Sequence, residues 1–250
     1  MALRPIWAVR TPRVDQEFMV GAMVLACGRG GGLASSPAVT GRSGVKAVVL
    51  PARPGKDDVD PLLTDVGPDT AHDRLVVLGD DADLAAVVLR LLRAERLADV
   101  AVGFVPLSEE SDVAITWDLQ VDRGRAFDVA LGAEPDRVPL VRDDSGGVLV
   151  GLGRIGPLRG VAYCDDTQVL RGPAKSIRVV PHAADGGGIE VTVAHRGLFN
   201  RKSQTEHGRA FEVGCLATKV IKDGVRHDRP VKKWNWYRHT EDLRLIRGVR

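Results

Sequence analysis

The residues best able to do chemistry lie in the run Leu75-Val76-Val77-Leu78-Gly79-Asp80-Asp81-Ala82-Asp83-Leu84. An apolar, strand-like stretch stops at a glycine, and three carboxylates follow at once. Aspartates in such a place satisfy the free N–H groups of a helix start and complement its dipole. The same corner, at the carboxyl edge of a parallel sheet, is also where α/β proteins take ligands. A second cluster, Gly28-Arg29-Gly30-Gly31-Gly32, follows another apolar run. Its backbone N–H groups, those of Gly30 and Gly31 among them, could cradle a phosphate. No GxxxxGK[ST] pattern accompanies it and no clear helix start follows, so a plain turn stays open as the alternative. A third candidate is the pair Asp165-Asp166. Two carboxylates could hold Mg²⁺ through waters, with Asp166 as the metal partner, or deprotonate a substrate hydroxyl. Adjacent strand residues face opposite ways, so both reach one site only in a turn, and a solvated surface turn is the plainer reading.

Other patterns carry less. Gly151-Leu152-Gly153-Arg154-Ile155-Gly156 spells GxGxxG, but Pro157 follows where a dinucleotide-binding motif needs a helix. Ser43 and Lys46 satisfy SxxK at the entry to a strand, where that spacing has no catalytic sense. The six histidines are scattered, with no HExxH and no His/Cys pairing, which argues against a zinc site. The basic stretch Arg226–Arg250 interleaves Lys232, Lys233 and Arg238 with Trp234, Trp236 and Tyr237. Such a mixture can stack bases, meet an anionic surface, or close a β-domain with its aromatics inside. Trp234 and Trp236 share one strand face by the two-residue period, which favours packing.

These residues must be positioned by elements that the pattern foretells in part. Met19–Cys27, Val45–Leu50, Arg74–Leu78 and Val100–Pro106 read as strands, and Val59–Val66 as a short helix. A helix from Asp81 or Asp83 to about Ala98 places Leu84, Val87, Val88, Leu91 and Leu92 on one face. Strand, helix and strand at this spacing make a βαβ unit, so its two strands should be parallel neighbours. Asp112–Trp117 reads as a short alternating stretch and Arg123–Leu131 as a helix. Val138–Val141 and Val148–Leu152 flank a turn at 143–147, a hairpin signal. Short β-like runs follow to the end, the last pair being Trp234–His239 and Leu243–Arg247. The expected fold is an α/β N-terminal domain with a mostly parallel sheet, residues 1–142, then a β-rich sandwich-like domain, residues 143–250.

Composition fits this picture. Of 250 residues, 44% are hydrophobic and 27% charged, as in a globular protein with a sizeable core. The net charge of +2 gives no global field for nucleic acid. Three distant cysteines suggest reduced thiols. Met1–Arg13 is broken by Pro5 and Pro12 and does not read as a signal peptide, and no apolar run approaches the ~18 residues of a membrane helix. A cytoplasmic protein without a transmembrane segment is expected.

The run ending in Gly79-Asp80-Asp81-Ala82-Asp83 is similar to the Gly-Gly-Asp-Gly-Thr signature of the diacylglycerol kinase catalytic family and its NAD kinase relatives. That family continues, as here, through a strand ending in a proline motif (Val102–Leu107) into a β-rich domain with a late Asp-Gly turn, matched by Asp223-Gly224-Val225. The departures are large. Two signature glycines are replaced, Ser108–Asp112 stands where Gly-Thr-Gly-Asn-Asp would follow, and Val225 replaces an acidic residue. The resemblance implies a degenerate member of the family. Its cofactors would be ATP and Mg²⁺, with Gly79, Asp80 and Asp81 at the nucleotide, Asp165 or Asp166 as base or metal partner, and basic tail residues on a lipid or other anionic small-molecule acceptor. Three functions are weighed: phosphoryl transfer from ATP to a lipid or small-molecule hydroxyl, an inactive nucleotide- or partner-binding protein, and an anionic-surface binder using the tail. Nucleic acid is the less favoured partner, and a homodimer is kept open.

Overall fold

The computed structural model describes residues 21–184, 186–195 and 203–248. The expectations for Met1–Arg13, for the first two residues of Met19–Cys27 and for the last two of the basic tail fall outside these. Strands β1 (Ala22–Cys27), β2 (Val45–Leu50), β3 (Arg74–Gly79), β4 (Ala101–Pro106) and β5 (Pro135–Val138) alternate with helices α1 (Pro37–Thr40), α2 (Lys56–Val59), α3 (Asp81–Arg93), α4 (Asp112–Trp117) and α5 (Arg123–Gly132). Then come β6 (Val141–Asp143), β7 (Val148–Leu149), β8 (Gly153–Ile155), β9 (Leu158–Cys164), β10 (Thr167–His182), β11 (Gly188–His195), β12 (Ser203–Gly208) and β13 (Ala210–Thr218). The chain closes with β14 (Val220–Lys222), β15 (Val225–Arg226), β16 (Val231–Arg238) and β17 (Leu243–Ile246).

The first sheet has the order β2-β1-β3-β4-β17-β5. Its neighbours run parallel except β17 and β5, which pair antiparallel. β1, β3 and β4 are buried along their whole length, as strands covered on both faces must be. The expected βαβ unit is present, with β3 and β4 in register from Arg74↔Ala101 to Gly79↔Pro106. α3 buries Leu84, Val87, Val88 and Leu91 against this sheet. Each such side chain contributes roughly 1.5–3 kcal/mol by leaving water.

The second sheet is antiparallel and has eleven strands. β10 carries its curvature. Residues 167–174 pair with β9, and residues 177–179 pair with β8 while also holding β11. β11 then packs across onto β13 and β16, giving a core of Val, Ile, Phe211, Trp234 and Trp236. A mostly parallel α/β layer followed by a β-rich sandwich-like part is thus the architecture.

Several elements depart from expectation. Asp112–Trp117 is a helix. A strand would have put Val113, Ile115 and Trp117 on one face, whereas Val113, Ala114 and Trp117 are buried and Ile115 is 69% exposed. Ser111 caps it by accepting from Ala114 N at 3.0 Å, and the Trp117 indole donates to Val150 O at 2.8 Å. α3 stops at Arg93, five residues short of the expected end. The glycine cluster forms a 3₁₀ turn, Gly28–Leu33. The last expected β-run does not stay in the β-rich part. β17 returns to the first sheet and lies beside β4, with Leu245 opposite Val102.

Candidate functional site

β3 and β4 end side by side, and their carboxyl ends open on a cavity of about 250 Å³. Its walls come from three places: Gly79–Asp81 at the β3–α3 corner, Pro106–Ser108 and Glu110–Asp112 between β4 and α4, and Asp223-Gly224 from the second sheet. The cavity therefore lies where the two parts meet, at the edge that parallel sheets use for ligands.

Local chemistry explains why each residue is where it is. Asp80 opens α3 from an extended conformation (φ −86°, ψ 167°). Asp83 reaches back one turn, accepting from Asp80 N at 2.9 Å and from Arg53 N at 2.7 Å. It fills the space beside Gly79, where an added Cβ would stand 2.6 Å from Asp83 Oδ2. Gly79 is thus glycine because a carboxylate of its own helix needs the room. Asp80 pairs with Arg29 at 2.7 Å, an exposed contact. Asp81 leans across to α4, accepting from Ser111 Oγ at 2.5 Å, Asp112 N at 2.8 Å and Val113 N at 3.3 Å. Burial raises its pKa, although these bonds pull the other way.

Asp223 is the most confined carboxylate of the site. It occupies the two-residue turn between β14 and β15 with φ 44°, followed by Gly224 at φ 79°, the pairing that tight hairpins require. Its oxygens accept from Val150 N at 3.1 Å and Gly151 N at 2.8 Å. Burial pushes its pKa up to about 7. The two N–H bonds oppose that, Asp81 adds to it, and Lys222 subtracts. Lys222 itself bonds the fully buried Asp143. Burial works against the Asp143 charge, but Lys222 and Ser145 outweigh it and hold that carboxyl below the usual range. Asp143 also accepts from Ser145 N at 2.9 Å and Gly147 N at 3.0 Å, closing the β6–β7 hairpin.

The residues singled out in the sequence separate into groups. Gly79, Asp80 and Asp81 line the cavity. Gly30 and Gly31 do not, because they pack on strands. A Cβ at Gly30 would stand 2.3 Å from Leu78 O, and one at Gly31 2.9 Å from Val49 Cγ1. Asp165 and Asp166 form the exposed turn between β9 and β10, bracketed by the Cys164↔Thr167 pair. Asp165 is left-handed (φ 47°) and accepts from Arg209 N at 3.0 Å and Ala210 N at 2.9 Å. It lines a different cavity, and among the described residues the group of three side chains able to hold a metal ion does not include Asp166. Asp165 thus lines a cavity separate from that of Gly79, and its bonds to Arg209 and Ala210 close the turn. Trp234 and Trp236 are buried in the second core, so they offer no stacking surface. Sequence reasoning misses Ser111, Glu110 and Asp112 because the helix they introduce reads as an alternating stretch. Asp223 is visible in the sequence only as part of the late Asp-Gly turn.

The donor set bears on ATP. Asp80, Asp81, Glu110, Asp112 and Asp223 line the cavity, and among the described residues no Lys, Arg or His does. A polyphosphate would meet carboxylates where it needs N–H groups and cations. The Arg29 guanidinium, beside the rim, is already spent on Asp80. Carboxylates suit Mg²⁺ in principle, but the Asp81 and Asp223 oxygens already accept backbone N–H bonds. Among the described residues the lining thus offers a polyphosphate no cationic partner, while Asp80, Glu110 and Asp112 remain as carboxylates at the same wall, and no chemical step is derived through MgATP.

Architecture and site together define a class of protein: a parallel α/β layer and a curled β-rich layer with a cleft between them at the β3–α3 corner. No protein-family model and no curated protein matches the sequence. Solved structures do match. A putative diacylglycerol kinase from Bacillus anthracis str. Sterne shares 10% identity, covering 94% of this chain and 99% of that one with a TM-score of 0.68. A diacylglycerol kinase from the same organism gives 12% identity, 94% and 98% coverage and a TM-score of 0.66. An NAD kinase from Archaeoglobus fulgidus, solved in complex with ATP, gives 15%, 92% and 94%, and 0.57. The chain shares the fold of these diacylglycerol kinase and NAD kinase structures. No helix among the described residues is long and apolar enough to cross a membrane.

Proposed function

We propose that this chain is a kinase-fold protein without phosphoryl-transfer activity, a degenerate member of the superfamily whose cleft at Gly79–Asp81 serves to bind a partner. The observation that carries the reading is Asp81. It stands where the family signature has its aspartate, yet its carboxylate is bonded to Ser111, Asp112 and Val113 at the start of α4. Asp83, which stands where the signature has threonine, supports the same reading by filling the space beside Gly79. The acidic lining favours a partner that presents a positively charged group. Calorimetry with MgATP tests the proposal. No saturable heat is expected at millimolar nucleotide. Binding accompanied by ATP-dependent transfer to a lipid or small-molecule hydroxyl, and lost in Asp223→Ala, would overturn it.

A second reading, an active kinase, draws on one specific feature. The Asp223 carboxyl, with a pKa of about 7, suits a general base that takes a proton from an acceptor hydroxyl near neutral pH. The similarity to an NAD kinase solved with ATP leans the same way. On this reading Asp223 would take the proton on a lone pair left free by the single N–H bond that each of its oxygens accepts from Val150 and Gly151. The same assay separates the two readings.

A further inference from the structure

Away from the cleft, the fold gathers three side chains that the sequence keeps apart: His182, Glu190 and His207. They belong to neighbouring antiparallel strands β10, β11 and β12. Glu190 sits opposite Val180 on one side and His207 on the other, and His182 lies two residues beyond Val180. The two-residue period puts all three on one face of the sheet. One ligand atom from each lies within 4.8 Å of the others. His207 Nε2 is 3.4 Å from Glu190 Oε2, and the two imidazoles stand 4.5 Å apart, tilted by 32°.

We infer that His182, Glu190 and His207 form a binding site for a divalent transition-metal ion, Zn²⁺ in the first instance. Two imidazoles and one carboxylate are a donor set for which zinc has high affinity, and three protein ligands leave a fourth position open. At a metal–ligand distance near 2.0–2.1 Å, tetrahedral ligand atoms lie about 3.3–3.4 Å apart. The three side chains are half-buried or exposed, so they close the remaining gap by rotating about their side-chain bonds, without moving the strands. Two stacked imidazoles beside a carboxylate would repel one another if both were protonated, and a shared cation removes that conflict. His182 and His207 also line a cavity of about 350 Å³, whose walls include Gly186, Gly187, Arg209 and Asp165. Asp165 adds negative charge there while its oxygens stay on the Arg209 and Ala210 N–H groups. This cavity shares no lining residue with the one at Gly79, so the site is independent of the reading proposed for the cleft.

The test is titration of the tag-free, full-length protein with ZnCl₂ by calorimetry, and with CoCl₂ by visible absorption. One ion per chain is expected, with the intense visible bands of low-symmetry Co²⁺. His182→Ala and His207→Ala should each weaken binding by roughly tenfold or more, the scale on which even supporting residues act at metal sites. Glu190→Gln, which keeps size and shape, should weaken it while leaving the circular dichroism spectrum unchanged, which separates lost ligation from lost fold. Zn²⁺ uptake that is undiminished in the His182→Ala, His207→Ala double variant would overturn the proposal. So would the absence of any uptake by the folded wild type at about 100 μM Zn²⁺, which would leave only a cross-strand His–Glu contact.

Discussion

Replacing Asp223 with asparagine should change how stability depends on pH. The folded carboxyl titrates near 7, against an ordinary value of 3.8. Between those values the native state holds a proton that the unfolded chain has lost, so stability falls as pH rises. Each pKa step is worth about 1.36 kcal/mol, so the full gap corresponds to roughly 4 kcal/mol. Between pH 5 and pH 8 the loss amounts to roughly 2.5 kcal/mol. Asp81, also raised by burial, acts in the same direction. Asp143 is lowered, so its contribution disappears only as the pH falls below the ordinary carboxylate range, outside this window. The Asp223→Asn side chain would carry no charge but offers one acceptor to two donors, Val150 N and Gly151 N. The unpaired N–H costs about 1–3 kcal/mol. The variant should therefore be less stable than wild type at pH 5, at least as stable at pH 8, and should change less between them, with only the opposed contributions of Asp81 and His239 left in this window. Urea unfolding at several pH values measures this directly. A wild-type midpoint that stays constant from pH 5 to 8, or a variant that keeps the wild-type slope, would refute the assignment of a confined, near-neutral carboxyl at this turn.

Three further outcomes follow from the same contacts. Asp83→Ala orphans Asp80 N and Arg53 N together and should cost about 2–4 kcal/mol in denaturant unfolding, with roughly half of that recovered in Asp83→Asn, which keeps an acceptor for one of them. Arg29→Ala removes an exposed pair and should leave the melting temperature unchanged; a clear drop would mean that Asp80 needs its partner. Burial pushes the Cys27 thiol up to about 12 and the Cys164 thiol to about 11, while Cys215 is only half-buried. Iodoacetamide at pH 8, followed by mass spectrometry, should therefore label Cys215 first and Cys27 only as the protein unfolds.

The elements readable from sequence are those whose burial pattern is local. Leu84, Val87, Val88 and Leu91 on α3, and the uninterrupted apolar runs of β3 and β4, announce their structure within a dozen residues. α4 is not readable because six residues spelled Asp-Val-Ala-Ile-Thr-Trp satisfy both periods, and only the exposure of Ile115 decides between them. β17 is not readable because a four-residue strand says nothing about which sheet it joins. The link through Asp242 and Arg238 leaves it free to reach either, and the pairing of Leu245 with Val102 is a tertiary fact. The metal-capable cluster shows the same limit, since His182 and His207 become neighbours only through the register of β10, β11 and β12.

The cleft itself shows how a fold can keep a ligand edge while its carboxylates change employment. Asp81 ties α3 to α4, Asp83 ties α3 to the loop at Arg53, and Asp223 ties the second sheet to Val150 and Gly151. In each case the carboxylate accepts a backbone N–H that would otherwise lack a partner. A buried N–H without a partner costs about as much as the bond it lacks, so these contacts resist displacement by a ligand that brings only negative charge. Removing Asp81 should therefore loosen α3 from α4, and removing Asp223 should loosen the β14–β15 turn from the β7–β8 segment, before either change makes room for a phosphate.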